Sequence, residues 1–220
     1  MTSGVREPPE AKIATDKEPS KHAMQPAVHA DATPDKAAVI MDCGEAMSYR
    51  QLEERSCQCA HLFADLGLQP GDVVAFLMAN GPAYFHAAWG AQRSGLYYTP
   101  ISTHLSADEV AYIVDNCEAS VVIVSAELLD TVQGIRQRLP GVRSWLVSGA
   151  HSPGYDNFED ALAGFPITSP ARQLEGCEML YSSGTTGYPK GIRNPNPERE
   201  IGNPGPFALG IIAAFGLDRE

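Results

Sequence analysis

The chain has 220 residues, a formal net charge of −11 and an apolar fraction of 44%, which places it among ordinary globular proteins. A chain of this length forms one or two domains and can bury about 70% of the surface that its unfolded form would expose. The acidic balance argues against nucleic acid or an anionic membrane surface as a partner.

The first segment, residues 1–21, has the composition of a disordered tail. It contains three prolines, mixed charges and no aromatic residue, so it cannot bury enough apolar surface to offset its chain entropy. It also lacks the apolar centre of a signal peptide, and no run of about 18 apolar residues occurs in the chain. We therefore expect neither a secretory leader nor a transmembrane segment.

The five cysteines are odd in number and show no CxxC or Cys/His spacing typical of zinc sites. This predicts reduced thiols in a cytoplasmic protein without a protein-bound metal. Cys57 and Cys59 suggest a redox pair, but residues two apart on a helix point to different faces, which favours structural thiols. Two interpretations of His104 remain: it lines a pocket, or it is a surface or capping residue.

Strand and helix signals alternate from residue 22 to residue 151. Ser48 with Gln51, and Ser106 with Glu109, predict capping boxes at two helix starts, and Asn80 is predicted to cap a further helix. Gly67 and Gly95 are predicted to end helices. The predicted strands are 37–41, 46–49, 73–78, 96–101, 121–124 and 145–147, and the predicted helices are 48–66, 83–93, 106–115 and 128–139.

Several of these strands are short and fully apolar, and helices of suitable length separate them. Such strands are typical of βαβ units, in which a parallel sheet is buried on both faces. The first two strands flank a turn and predict a separate hairpin. The expected fold class is therefore α/β, with a mostly parallel sheet flanked by helices on both faces.

The stretch 181–192 has the composition of a phosphate-binding loop. Glycines let the backbone approach an anion closely, hydroxyl groups supply rotating donors, and a lysine supplies a compact charge. No acidic residue lies between Glu178 and Glu198, which keeps the local potential favourable for an anion. The candidate binding residues are Ser182, Ser183, Gly184, Thr185, Thr186, Gly187 and Lys190.

This stretch is not a Walker A loop, because Lys190 is followed by Gly191 and not by Ser or Thr. That difference argues against a P-loop kinase. The apolar residues before the stretch, and Ile192 after it, predict a loop that projects between two strands. The rival interpretation is a flexible surface loop that binds no ligand.

The stretch resembles the phosphate-binding signature of the acyl-adenylate-forming superfamily, which includes acyl-CoA synthetases. Two other segments are similar to this family: 47–52 together with the turn 67–74, and 91–101. The three matches occur in the order of the family and cover residues 22–192. The resemblance implies the N-terminal α/β part of an AMP-binding domain, ending in the phosphate loop.

The resemblance also implies an activity. Members of the family bind ATP with Mg²⁺, let a substrate carboxylate attack the α-phosphate, and in the CoA ligases pass the acyl group to coenzyme A. By this resemblance the six candidates from Ser182 to Gly187 cradle the β- and γ-phosphates, and Lys190 is the catalytic residue that neutralises pyrophosphate. The substrate expected from it is a carboxylic acid, fatty or related.

Residues 193–220 depart from the family pattern. They are too rich in proline and glycine for the helix that usually follows the phosphate loop, although 207–217 is apolar. The later family segments, including those for adenine, magnesium and ribose and the lid with its lysine, have no counterpart in the sequence. We therefore expect the first part of a longer ligase that is inactive alone; the alternative is a non-catalytic nucleotide- or phosphate-binding fragment or a pseudoenzyme.

Overall fold

The structure is a computed structural model that describes residues 25–182, 189–195 and 198–202. The predicted tail 1–21 lies outside these residues, as does most of the predicted segment 193–220. The helices are α1 Pro26–Ala32, α2 Tyr49–Asp65, α3 Pro82–Arg93, α4 Ala107–Asn116, α5 Leu129–Gln133 and α6 Phe158–Ala163. The strands are β1 Ala37–Ile40, β2 Ala46–Ser48, β3 Val73–Leu77, β4 Tyr97–Pro100, β5 Ala119–Ser125, β6 Ser144–Ser148, β7 Asp156–Asn157, β8 Cys177–Glu178, β9 Leu180–Ser182 and β10 Lys190–Ile192.

A parallel sheet forms the centre of the molecule. Its six strands lie in the order β7-β6-β5-β3-β4-β8, and each neighbouring pair is parallel. All five residues of the central strand β3 are buried, as expected for a strand that is covered on both faces. The predicted fold class is therefore confirmed. The predicted first hairpin is also confirmed, because β1 and β2 pair as a separate antiparallel sheet.

Helices cover both faces of the parallel sheet. Successive side chains of a strand point to opposite faces, so Val73 and Ala75 pack with residues of α4 and α5. Val74 and Phe76 pack on the other side with residues of α2, α3 and α6. Among the described residues no helix is both long enough and apolar enough to span a membrane.

The starts of two helices are as predicted. The Ser48 hydroxyl accepts from the Gln51 amide at 3.3 Å while the Gln51 side chain accepts from the Ser48 amide at 2.8 Å, and Ser106 and Glu109 form the same reciprocal pair. The predicted cap at Asn80 is wrong. Helix α3 begins at Pro82, and its N-cap residue is Gly81, which has no side chain to accept from the first amides of the helix.

The predicted helix 128–139 is also wrong. The segment forms a 3-10 turn at Ala126–Leu128, the short helix α5 and a second 3-10 turn at Arg136–Arg138. Gly134 ends α5, since glycine has low helix propensity. Arg136 then stacks on the Tyr155 ring at 4.8 Å and donates a hydrogen bond to the Gly154 carbonyl. These tertiary contacts favour a bent segment over a continuous helix.

Helices α2 and α3 pack closely in the core. A Cβ atom on Gly90 would lie 2.2 Å from Cβ of Cys59, so the contact requires glycine. Arg93, also on α3, is fully buried and pairs with Glu53 of α2 at 2.5 Å. Cys57 contacts both of these charged side chains. Both cysteines are therefore structural thiols of the core; burial raises the pKa of Cys57 to about 11 and raises that of Cys59 further.

Candidate phosphate-binding site

The candidate phosphate loop is carried by a hairpin of β9 and β10. The two strands pair antiparallel, with Lys190 opposite Ser182, Gly191 opposite Tyr181 and Ile192 opposite Leu180. The predicted setting, a loop between two strands, is confirmed. The structure thus brings Ser182 and Lys190 together at the base of the loop. The other candidates, Ser183, Gly184, Thr185, Thr186 and Gly187, lie outside the described residues.

The hairpin joins the edge of the parallel sheet. Strand β8 pairs with β4, and the Met179 amide donates to the Tyr98 carbonyl at 2.9 Å before the chain enters β9. The hairpin is then a separate two-stranded sheet. Its position relative to the core is consequently set by contacts near its base.

Most of the hairpin is exposed to solvent. Lys190 and Ser182 are both exposed, and the cross-strand pair Leu180 and Ile192 is about half exposed. Within 25–182, 189–195 and 198–202, no ion pair or hydrogen bond joins the Lys190 amine to another residue.

Gly191 has a packing role that sequence reasoning missed. A Cβ atom at this position would lie 2.7 Å from Cζ of Tyr181, so the tyrosine ring lies directly over the glycine. The Tyr181 phenol donates to Oδ1 of Asn116, at the end of α4, at 2.7 Å. Burial raises the pKa of Tyr181, which keeps the phenol protonated as a donor.

The residues after β10 contact the parallel sheet. The Arg193 guanidinium lies over the Tyr97 ring, 4.5 Å from its centroid, and donates to the Gly71 carbonyl at 3.0 Å. It also approaches Glu118 at 3.8 Å. The Tyr97 hydroxyl donates to the Asn194 carbonyl at 2.6 Å. The sequence offered one signal, since Tyr97 lies in a segment that resembles the family, but it did not reveal the partners.

A protein-bound metal ion needs several donor side chains close together. Among the described residues, no group of three or more His, Cys, Asp or Glu side chains could hold a metal ion. Mg²⁺ prefers carboxylates and phosphate oxygens.

A cleft of about 570 Å³ lies away from the hairpin, and Arg55, Met47 and His86 are among its lining residues. Burial, with Arg55 close by, lowers the pKa of His86 to about 4, so this histidine is neutral at physiological pH. His104 is exposed, and its backbone amide bonds to the Ser102 hydroxyl. Its place on the surface agrees with the second of the two interpretations given above.

Comparison with known proteins agrees with this architecture. The family described as AMP-binding enzyme matches residues 27–193. The long-chain-fatty-acid–CoA ligase FadD13 of Mycobacterium tuberculosis is 33% identical over 152 residues, covering 66% of this chain and 29% of the relative. Long-chain fatty acid transport protein 6 of Mus musculus is 29% identical over 194 residues, covering 84% of this chain and 31% of the relative.

Solved structures give the same result. The anthranilate CoA ligase AuaEII, in complex with anthranoyl-AMP, matches with a TM-score of 0.68 and 28% identity, covering 80% of this chain and 34% of that one. A long-chain-fatty-acid CoA ligase from Rhodopseudomonas palustris, described as putative, has a TM-score of 0.70 at 23% identity, covering 87% and 47%, and so supports the fold alone.

The match to the AMP-binding enzyme family over residues 27–193 covers most of the chain. The chain belongs to the AMP-binding enzyme family. It spans only about 30% of the length of the two relatives named above, at 31% and 29%.

Proposed function

We propose that this chain is the N-terminal part of an ATP-dependent acyl-CoA synthetase. The complete protein would activate a carboxylic acid, fatty or related, as an acyl-adenylate and transfer the acyl group to coenzyme A. The observation that carries the proposal is the β9–β10 hairpin, which places an exposed lysine opposite a serine at the base of the Gly/Ser/Thr-rich loop. Names of relatives, such as long-chain-fatty-acid–CoA ligase, support the substrate class.

The chemistry explains why these residue types are needed. An oxygen of the substrate carboxylate attacks the α-phosphorus of ATP, and the bond from that phosphorus to pyrophosphate breaks. Both reactants are anions, so the barrier falls when donors and cations neutralise the triphosphate. In the proposal Ser182, Ser183, Gly184, Thr185, Thr186 and Gly187 hold the β- and γ-phosphates. Lys190 is the catalytic residue that stabilises negative charge on the leaving pyrophosphate.

Mg²⁺ is expected to accompany the nucleotide. The described residues around the hairpin supply hydroxyl and ammonium groups, while metal-binding carboxylates are not clustered among them. The proposal therefore has Mg²⁺ arrive on the phosphate oxygens, where it neutralises part of their charge. A cytoplasmic location is proposed as well, supported by five unpaired cysteines.

The test is acid-dependent exchange of labelled pyrophosphate into ATP by the complete protein. The reversible adenylation step predicts exchange that begins only when a carboxylic acid is added, with fatty acids of several lengths and anthranilate as probes. Transfer to coenzyme A is then measured separately as thioester formation. ATP binding without exchange across all these acids would contradict the ligase and support the non-catalytic phosphate-binding alternative.

A further inference from the structure

The phosphate hairpin has few links to the rest of the molecule. Strands β9 and β10 pair with each other and with no other strand of the described chain. Each strand has three residues, and one cross-strand pair, Leu180 and Ile192, is about half exposed. A two-stranded hairpin of this size is not stable alone in water. Its orientation must therefore be fixed by contacts that it makes with the core.

We propose that Arg193, seated on the Tyr97 ring, is a positioning residue that fixes the phosphate hairpin and so aims Lys190 at the pyrophosphate of ATP. This inference rests on the proposed function for the identity of the ligand. It assigns a role to two residues outside the phosphate-binding stretch 181–192. Neither is a catalytic residue, because both act through the hairpin.

Arg193 is suited to this role by its place in the chain and by its three partners. It follows β10 directly and lies three residues after Lys190. Its guanidinium contacts the Tyr97 ring at 4.5 Å, the Gly71 carbonyl at 3.0 Å and the Glu118 carboxylate at 3.8 Å. A planar guanidinium can lie flat on a ring and donate hydrogen bonds in its own plane, whereas an ammonium group has no flat face to stack.

The partners of Arg193 belong to the rigid part of the fold. Tyr97 is the first residue of β4 and is only 6% exposed, so its ring is a fixed surface. Gly71 lies in the turn before β3, and Glu118 immediately precedes β5. Arg193 thus ties the outgoing end of the hairpin to three successive strand starts of the parallel sheet. The Tyr97 hydroxyl adds a hydrogen bond to the Asn194 carbonyl, one residue further along.

The incoming strand has its own anchor. Tyr181 of β9 lies over Gly191 and donates to Asn116 at 2.7 Å. With both anchors the hairpin is held on each of its two strands. Without Arg193 the β10 side keeps only the hydrogen bond from the Tyr97 hydroxyl to the Asn194 carbonyl, so the strand that carries Lys190 is held less firmly in its place. Loss of Arg193 is therefore expected to weaken use of ATP without changing the site of the acid.

A rival role for Arg193 is direct contact with phosphate. The two roles predict different results when a lysine replaces Arg193. A lysine at position 193 keeps the positive charge and would rescue a phosphate contact, but it loses the stack combined with the Gly71 hydrogen bond. Tyr97 touches Arg193 and Asn194 and offers no positive charge, so a Tyr97 variant tests the positioning role by itself.

The kinetic experiment uses the complete protein with Arg193→Ala, Arg193→Lys and Tyr97→Phe. Arg193→Ala is expected to raise the KM for ATP by about tenfold, the scale of one well-placed contact, with the KM for the acid unchanged. Arg193→Lys should recover only part of this loss, and Tyr97→Phe, which keeps the ring but loses its hydroxyl, should raise the KM for ATP by a smaller factor. The matched control is Arg138→Ala, because Arg138 is also half exposed and ion-paired, with Asp108 at 2.7 Å.

A second measurement does not depend on activity. Hydrogen exchange of the backbone amides of residues 178–195 should quicken in Arg193→Ala and stay unchanged in Arg138→Ala. Unchanged exchange in Arg193→Ala, or full rescue of the KM for ATP by Arg193→Lys, would overturn the positioning role. Failure of the wild-type protein to turn over ATP would overturn the proposed function instead, and the exchange result would still decide whether Arg193 anchors the hairpin.

Discussion

The parallel sheet and the phosphate hairpin are stabilised in different ways. In the sheet, every residue of β3 is buried, and two apolar clusters cover the faces. In the hairpin, Ser182 and all three residues of β10 are exposed, and a few directed contacts fix its place. Many interchangeable contacts hold the sheet, whereas the hairpin depends on single residues such as Tyr181 and Arg193. The same kind of substitution should therefore affect stability in the first region and ATP binding in the second.

The largest effect is expected at the buried ion pair of the helical layer. Arg93→Ala leaves the Glu53 carboxylate, 15% exposed, without its partner at 2.5 Å. Breaking a buried pair of this kind costs about 3–5 kcal/mol, so the free energy of unfolding should fall by that order. Urea unfolding of the wild type and the variant measures this loss of unfolding free energy.

The matched control for that variant is Arg50→Ala. Arg50 pairs with Asp35 at 3.1 Å, but both side chains are more than half exposed. Exposed pairs contribute about 0–1 kcal/mol. Equal losses of unfolding free energy in Arg93→Ala and Arg50→Ala would show that burial of an ion pair does not determine how much the pair stabilises the protein.

A pH-dependent effect is expected from His86, a partly buried histidine of the same helical layer. Its pKa is about 4 in the folded protein, against about 6.5 for a free histidine. Between these values the unfolded state takes up a proton and the folded state does not, so stability falls as the pH drops from about 6.5 to about 4. The total loss is at most about 3 kcal/mol.

Urea unfolding at several pH values checks this prediction. His86→Gln should flatten the profile over that interval, since the group that titrates is gone. His104→Gln is the control, because His104 is exposed. A profile that keeps its slope in His86→Gln would assign the pH dependence to other groups.

Replacing one glycine by alanine in each region compares the helix-covered sheet directly with the hairpin. In Gly90→Ala the new Cβ would lie 2.2 Å from Cβ of Cys59 between two packed helices, and overpacking of this kind costs about 1–3 kcal/mol. In Gly191→Ala it would lie 2.7 Å from Cζ of Tyr181, a partly buried ring at the outer end of a side chain that can shift. We expect a smaller loss of unfolding free energy there, accompanied by a raised KM for ATP in the complete protein.

Thermal unfolding and ATP kinetics of both variants make this test. Gly134→Ala is the control, because no atom lies within 4 Å of its added Cβ and its φ of −79° suits any residue. A global destabilisation by Gly191→Ala as large as that by Gly90→Ala would contradict the distinction between the two regions.

The same distinction explains what the sequence could predict. The buried strand β3 and the capping boxes at Ser48 and Ser106 depend on residues close together in the chain, so their patterns were sufficient. Asn80 was mistaken for the cap because the helix begins at Pro82, which places Gly81 at the N-cap position. The bend after α5 depends on packing of Arg136 against Tyr155, which no local pattern reveals.

For the candidate site, too, the sequence predicted the features that depend on local residues and missed those that depend on distant ones. The motif predicted a loop between two strands, and the structure has the hairpin in which Ser182 lies opposite Lys190. The motif did not identify the anchors. Tyr97 and the Asn194 carbonyl are 97 positions apart, and their contact exists only once the sheet has formed. The packing role of Gly191 was likewise missed, since the ring that covers it comes from the opposite strand.

The most direct test of the central claim compares binding of ATP and AMP to the complete protein with Lys190→Ala. AMP lacks the β- and γ-phosphates, so a lysine that holds pyrophosphate should matter for ATP alone. The predicted result is a Kd for ATP raised by about 10- to 100-fold, the scale of a charged hydrogen bond, with the Kd for AMP unchanged. Lys36→Ala, at another exposed lysine, should change neither. An unchanged Kd for ATP, or equal losses for ATP and AMP, would contradict the assignment of Lys190 to the polyphosphate.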